Sequence, residues 1–486
     1  MDDSAPYTMR ERLRGVAISL TGLAVEFGWA VGESIMLPHM LAPPLSVAPA
    51  VAGLIFAINP VLSFGASPLV GAYVDGEPAR ARRRCATALF ALGALVGMLA
   101  LLSAPRAPRV VAVGILFGAF GWMDLCHDVM LIPGRALLIA DLRRRGRASA
   151  SAADDDGGGD ALYSQVQLLG RLAGLVAITA LPRRGALGCS YFEIAWLCSG
   201  TVLVACTSAA LAATAARVPA PPWPPSEDAA DAGAGALPAE VKLRRSLTAR
   251  LLPLLAIQTV GWVGVMVFTM WCSVWLGLGT DALGLGLSLP LVAMGLHTLG
   301  GIMLAPGLAR LNRSCGACRV WLGAQLLWLG ALVAARWLGA RRPEWTLLVC
   351  AAGGAQLLVH SANAPLLCRA AVDDERAIGW ANALVQNAMP LAQVVVGAFA
   401  GLVVGTCPAA AADDDDGGDG GDGGGRGCPA VGRVLFFWTG AGGAACVLLV
   451  VVFDTCWIRS GLFARRDESR SGVPRADGLA TYLLVQ

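Results

Sequence analysis

The stretch Val110-Val-Ala-Val-Gly-Ile-Leu-Phe-Gly-Ala-Phe-Gly-Trp122-Met-Asp124-Leu-Cys-His127-Asp128-Val-Met-Leu-Ile-Pro133-Gly-Arg135 is apolar but for two carboxylates, a histidine and a terminal arginine. A helix over its first 23 residues is about 35 Å long, enough to cross a hydrocarbon core of about 30 Å. Runs of this kind recur along all 486 residues, of which 56% are hydrophobic and only 15% charged, at a mean hydropathy of +0.63. Soluble domains carry roughly 25% charged residues. A soluble enzyme is therefore excluded. No stretch of ordinary composition is long enough for an independent domain, so the fold must be built from the spans themselves.

Working outward from 110–132, twelve spans are expected at 15–38, 49–73, 85–104, 110–132, 161–181, 189–213, 249–275, 285–308, 318–339, 345–367, 378–405 and 433–454. Three low-complexity stretches, Arg143 to Asp160, Arg217 to Glu240 and Ala409 to Gly427, are too polar or too rich in Pro and Gly to pack and read as loops. The middle one separates two six-helix halves. The expected division is a cytoplasmic N-terminus (1–14), an N-terminal bundle (15–213), a central cytoplasmic loop (214–248), a C-terminal bundle (249–456) and a cytoplasmic tail (457–486). Polar Met1 to Arg14 precedes a span too long for a cleaved signal, so the first helix is expected to be retained.

The even-numbered loops carry 18 basic residues and the odd-numbered ones 8, which puts both termini and the central loop in the cytoplasm. The net charge of +3 gives no reason to expect nucleic acid as a partner. Most of the 14 cysteines sit in apolar runs as small buried side chains, while Cys407 and Cys428 share an outer loop and could close a disulfide. Cys315-x-x-Cys318 lacks a second ligand pair. No metal or cofactor is expected. Neither His-Glu-x-x-His nor Gly-x-Ser-x-Gly occurs, so the chain does not read as an enzyme.

Ionisable side chains inside spans are costly and mark function by default. They are one-sided here: Glu26 and Glu33 in span 1, Asp124, Asp128 and Arg135 in span 4, Arg171 in span 5 and Glu193 near an end of span 6. At 100° per residue, Asp124, Asp128 and Arg135 share one stripe about 16 Å long. Glu26 and Glu33, seven apart, also share a face. Four carboxylates exceed two arginines, so the surplus must meet water in a cavity or bind a proton, which is what a proton-coupled carrier requires. Each of the four histidines, His39, His127, His297 and His360, lies in or at a span, where a packed histidine is the commoner case. Trp29, Trp122 and Trp262 could stack on a sugar ring. Gly28-x-x-x-Gly32 would let span 1 approach a neighbour closely.

After span 2, Gly71-Ala-Tyr-Val-Asp75 is followed by Arg80, Arg82, Arg83 and Arg84. This resembles the loop 2–3 signature of the major facilitator superfamily, with a looser arginine cluster than usual, and implies a cytoplasmic gate at Asp75 and these arginines. The two-half layout fits the same architecture. Val25-Glu-Phe-Gly-Trp-Ala-Val-Gly-Glu33, Asn59-Pro-Val-Leu with Pro68-Leu-Val-Gly71, Asp124 with Pro133-Gly-Arg-Ala-Leu-Leu-Ile-Ala-Asp141, Gly261-Trp262 and Pro390-Leu-Ala-Gln393 resemble stretches of plant sucrose transporters and of animal solute carrier family 45, which includes prostein and the membrane-associated transporter protein. The resemblance implies that Asp124 is a protonation site beside the sugar and that Arg135, eleven residues on, is essential. Span 7 departs from the pattern: the family's two acidic positions read Phe268-Thr-Met-Trp271.

The sequence reading is thus an all-α polytopic membrane protein of twelve helices that moves a sugar of the sucrose or hexose type with a proton, by alternating access, in the plasma membrane. Its partners are the solute, protons and the lipid bilayer. The proton and substrate residues are Asp124, Arg135, Glu26, Asp128 and Glu33. The alternatives are a non-transporting membrane protein with an interaction or regulatory role, and a carrier of another solute.

Overall fold

The computed structural model describes residues 9–76, 78–146, 158–181, 189–215, 236–276, 281–282, 287–338, 344–371, 377–405 and 443–454. Its N-terminal helices are α1 (Met9–Leu41), α2 (Pro49–Asp75), α3 (Ala79–Leu101), α4 (Arg109–Gly146), α5 (Gly158–Ala180) and α6 (Tyr191–Ala215). The C-terminal ones are α7 (Ala236–Leu276), α8 (Leu289–Cys315), α9 (Ala317–Leu338), α10 (Glu344–Ala371), α11 (Ile378–Gln386), α12 (Ala388–Gly405) and α13 (Gly443–Phe453). The only strands among the described residues are the two-residue pair Asp281–Ala282 and Leu287–Ser288, antiparallel between α7 and α8. Nine of the helices described are long and apolar enough to cross a membrane. The protein is an all-α, multi-pass integral membrane protein.

Its polarity is inverted, as a lipid solvent demands. Leu89, Leu92, Val96 and Leu99 of α3 point outward, whereas Ser19, Thr21, His127 and Asn363 are buried between helices. Close helix packing depends on small residues. Gly170 and Gly174 of α5 lie on the backbone of Leu23 and Phe27 in α1, where a Cβ would collide. At Gly28 and Gly32 of α1 the absent Cβ makes room for the rings of His127 and Phe120 from α4.

Several boundaries differ from the sequence reading, among them the end of α4, which runs on to Gly146. Helix α5 starts at Gly158, so Asp160, assigned to a loop, sits in a first helical turn and is buried. Helix α7 starts at Ala236, inside the expected central loop, because Pro238 falls in its first turn, where the missing N–H costs nothing. Span 11 is two helices, since Pro390 has no N–H for the carbonyl of Gln386 and its ring crowds that carbonyl. Cys407 and Cys428 lie outside the described residues.

The halves meet along α2 with α11 and α12, and along α5 with α8. Two of the hydrogen bonds that cross between them end on carbonyls freed by proline. Pro68 leaves the Phe64 carbonyl without its helical donor, and Asn387, at the α11–α12 break, donates to it at 2.9 Å. Pro365 likewise frees the Ser361 carbonyl of α10, which accepts from Arg135 of α4 at 3.1 Å.

Candidate functional site: a charged cavity between the halves

Helices α1, α4 and α5 bring their charged faces together because each has one polar stripe on an otherwise apolar surface. Opposite them stand α7, α10, α11 and α12. Two small cavities lie between, of about 60 Å³ and about 30 Å³, and share Glu26, Trp29, Trp262 and Met389. The smaller is lined also by Glu33, Asp124, Arg171, Phe120, Thr269 and Gln393. The larger is lined also by Asp128, Arg135, Gln167, Gln258, His360 and Ser361. These volumes hold a few water molecules. A sugar requires the halves to move apart.

The stripe expected on span 4 faces these cavities along its length. Asp124, only 4% exposed, accepts a 2.6 Å hydrogen bond from the Trp29 indole N–H. Arg171 of α5 pairs with Glu33 and, at 3.4 Å, with Glu26, so the α1 carboxylates are neighbours of one guanidinium and not solvated surface groups. Arg135 lies 3.8 Å from Asp160, donates to Gln167 at 3.4 Å and sits 5.0 Å over the Tyr163 ring. Asp160 thus adds a carboxylate that the sequence count omitted. Glu193 is a cap, as its position near a span end allows: it accepts from the Ser190 N–H at 2.7 Å and pairs with Arg106 at 2.6 Å.

Of the three tryptophans, two reach the cavity. Trp29 and Trp262 line it, but Trp122 is 50% exposed and donates to the Gly93 carbonyl at 3.0 Å. Helical geometry explains this correction: two residues before Asp124 is 200° around the helix, on the lipid side.

The loop 2–3 residues divide in a similar way. Asp75 crosses between the halves, accepting from the backbone N–H groups of Gly379 (3.0 Å) and Trp380 (2.8 Å) in the first turn of α11. A carboxylate there meets unpaired donors and the positive end of the helix dipole. Gly71 and Gly379 permit the approach: a Cβ on Gly71 would come within 2.7 to 2.8 Å of Gly379 and its neighbours. Arg83 stands 3.8 Å from Asp75 and donates to the Val74 carbonyl at 3.1 Å. Arg80 binds the Thr214 carbonyl at the end of α6, and Arg82 lies 5.2 Å over Tyr73. Arg84 Nε has no hydrogen-bond partner among the described residues. Asp75, with Arg83 beside it, makes a contact across the halves, while Arg80 and Arg82 meet groups of their own half.

Sequence reasoning missed the C-terminal wall. His360, treated as a lone packed histidine, is the hub of a buried network: Trp321 Nε1 donates to its Nδ1 at 3.0 Å, Gln258 Oε1 lies 3.0 Å from the same nitrogen, and Gln325 meets Nε2. Gln356 reaches Gln325 at 3.4 Å and the Gly261 carbonyl at 3.3 Å. The available signal was Gly261-Trp262, since any side chain at Gly261 would strike the His360 ring. No group of three or more His, Cys, Asp or Glu among the described residues could hold a metal.

Comparison with solved structures settles the architecture. A nucleoside transporter, NupG, in a point-mutant form, matches at a TM-score of 0.58 and 11% identity, over 90% of this chain and 99% of that one. A bacterial homologue of the iron transporter ferroportin, in an outward-facing state, matches at 0.61 and 14%, over 91% and 99%. The human organic anion transporter MFSD10 matches at 0.57 and 16%, over 90% and 99%. This is the major facilitator fold. Identities this low concern the fold alone. No family model and no curated protein sequence matches the chain.

Proposed function

We propose that the protein is a secondary active carrier that moves a small sugar-type solute together with protons by alternating access, its N-terminal bundle (15–213) handling the charge. The observation that carries this reading is the placement of Glu26, Asp124 and Asp128, with Arg135 and Arg171, on cavities between the two halves at the depth of the spans. Charge held at that depth is costly unless it exchanges with protons or partners during a cycle. Asp124 is the proposed protonation site: ionised, it accepts from Trp29, and protonated, it gains an O–H that a solute hydroxyl can accept. Glu26 and Glu33 compete for Arg171, so a change in one alters the hold on the other. Transport is also the activity named for the structurally similar proteins, whose cargoes differ widely. The sugar and the plasma membrane come from the resemblance to sucrose transporters.

The test is uptake of labelled sucrose, glucose and a polyamine into vesicles holding the purified protein, with and without an imposed pH gradient. Gradient-driven sugar accumulation, abolished in Asp124→Asn with exchange retained, is the expected result. Undiminished uphill uptake in that variant rules Asp124 out. A second reading, a protein that keeps the fold without transporting, is favoured by span 7, where Phe268 packs against His297 and Trp328 and Thr269 stands at the cavity in place of an acid. It predicts no uptake of any solute.

A further inference from the structure

We propose that His360 is a positioning residue, holding Gln258 on the C-terminal wall of the larger cavity, and that this wall receives a neutral, hydroxyl-bearing solute. The inference rests on the carrier reading and deepens it. Its first support is a chemical asymmetry. Every charged side chain lining either cavity belongs to the N-terminal half, whereas the described lining from α7, α10, α11 and α12 offers only amides, the hydroxyls of Ser361 and Thr269, Trp262, His360 and apolar groups. An ionic solute finds no counter-charge on that side, while hydroxyls find donors and acceptors.

The second support is a surplus of partners at one atom. His360 Nδ1 lies 3.0 Å from Trp321 Nε1, a donor, and 3.0 Å from Gln258 Oε1, an acceptor. One ring nitrogen cannot accept from the first and donate to the second at once. The neutral ring therefore has two arrangements. With its proton on Nδ1 it donates to Gln258; with its proton on Nε2, towards Gln325, it accepts from Trp321 and releases Gln258 Oε1. In the second arrangement Gln325 turns its amide so that its oxygen faces Nε2.

The partners released differ in their surroundings. Trp321 is wholly buried, but Gln258 borders the cavity, where a solute hydroxyl can take its oxygen. Gln258 Nε2 stays anchored on the His360 carbonyl at 2.8 Å, so the side chain keeps its place through the exchange. With solute bound, the Nε2-protonated ring leaves both Trp321 Nε1 and Gln258 Oε1 partnered; without it, the Nδ1-protonated ring takes the imidazole acceptor from the buried Trp321 N–H, a cost that the solute removes. Trp262, whose ring lies 6.0 Å from the imidazole at 29°, adds a flat apolar face for a sugar ring. The charged groups that share the cavity with His360 are Glu26 of α1 and Asp128 and Arg135 of α4; from α7 and α9 the network meets neutral groups only.

Binding, read apart from proton coupling, tests this. Thermal shifts of the purified full-length protein are measured against sucrose, glucose, their deoxy analogues, spermidine and gluconate. A neutral sugar is expected to stabilise the wild type, with apparent affinity falling at least tenfold in Gln258→Leu and His360→Leu. His360→Gln, whose amide oxygen can still accept from Trp321 and so leave Gln258 Oε1 to the solute, should recover most of it. Deoxy analogues lacking the recognised hydroxyl should bind the wild type and Gln258→Leu equally. Stabilisation by the charged solutes alone, or by none of the panel, overturns the proposal, as does wild-type sugar affinity in Gln258→Leu. If His360→Leu does not fold, the Gln258→Leu and His360→Gln pair decides. Sugar binding that depends on Gln258 without gradient-driven uptake would overturn proton coupling and leave this inference standing.

Discussion

Substituting Asp75 by Asn should loosen the contact between the halves at the end assigned to the cytoplasm. Asp75 accepts N–H groups from Gly379 at 3.0 Å and Trp380 at 2.8 Å, across the α2–α11 junction. Hydrogen bonds to a charged group contribute about 1.5–3 kcal/mol each. A carboxylate at a helix N-terminus adds about 0.3–1 kcal/mol. Asn keeps one acceptor oxygen and the shape, so it loses about one such bond and the charge, about 2–4 kcal/mol. If the contact exists only while this end is closed, the open-to-closed ratio rises about 30- to 700-fold, at tenfold per 1.4 kcal/mol. The assay is alkylation of a cysteine introduced at Ser361, which lines the cavity, by an impermeant maleimide applied to inside-out vesicles, with other reactive cysteines replaced. The rate should increase at least tenfold. An unchanged rate in a variant that remains folded and monodisperse would refute the idea that Asp75 holds the halves together. Gly71→Ala should act in the same direction, because its Cβ pushes α2 from the α11 backbone.

Arg171→Gln leaves Glu26 and Glu33 without their shared guanidinium and should lower stability by about 3–5 kcal/mol, read as a fall in melting temperature; adding Glu26→Gln and Glu33→Gln should restore much of it. Pro365→Ala returns an N–H to the Ser361 carbonyl and so takes a partner from Arg135: accessibility from the cytoplasmic side should increase about tenfold while the melting temperature does not fall, as expected for a charged hydrogen bond of about 1.5–3 kcal/mol. Trp29→Phe removes the donor to Asp124 and should change the pH dependence of uptake, whereas Trp122→Phe, on the outer face, should leave it within about twofold of wild type.

Much of the architecture was legible in the chain because a membrane imposes simple rules. A span needs a fixed apolar length, and a charge within it needs a reason, so 110–132 and its relatives announced themselves. The span 4 stripe was equally legible, since helical periodicity alone puts Asp124, Asp128 and Arg135 on one face. The same arithmetic would have turned Trp122 away from the site, had it been applied to residue type and face together.

Partners between helices distant in sequence were not legible, because no local pattern specifies them. Asp160 looked like loop charge until α5 was seen to begin before it and bring it to Arg135. Nor does any local pattern show that the carbonyl Arg135 meets is the one freed by Pro365, on the other half. The span 7 sequence suggested a loss of function at Phe268-Thr-Met-Trp271, while the polar chemistry of that half had gathered around His360 from α7, α9 and α10. Hydropathy and periodicity determined which segments are long and apolar enough to cross a membrane and which face of each is polar, because both are properties of a single helix in lipid. The choice of which polar face meets which was left to the tertiary structure, because buried donors and acceptors must be satisfied jointly across helices, and that condition is defined only once all of them are in place.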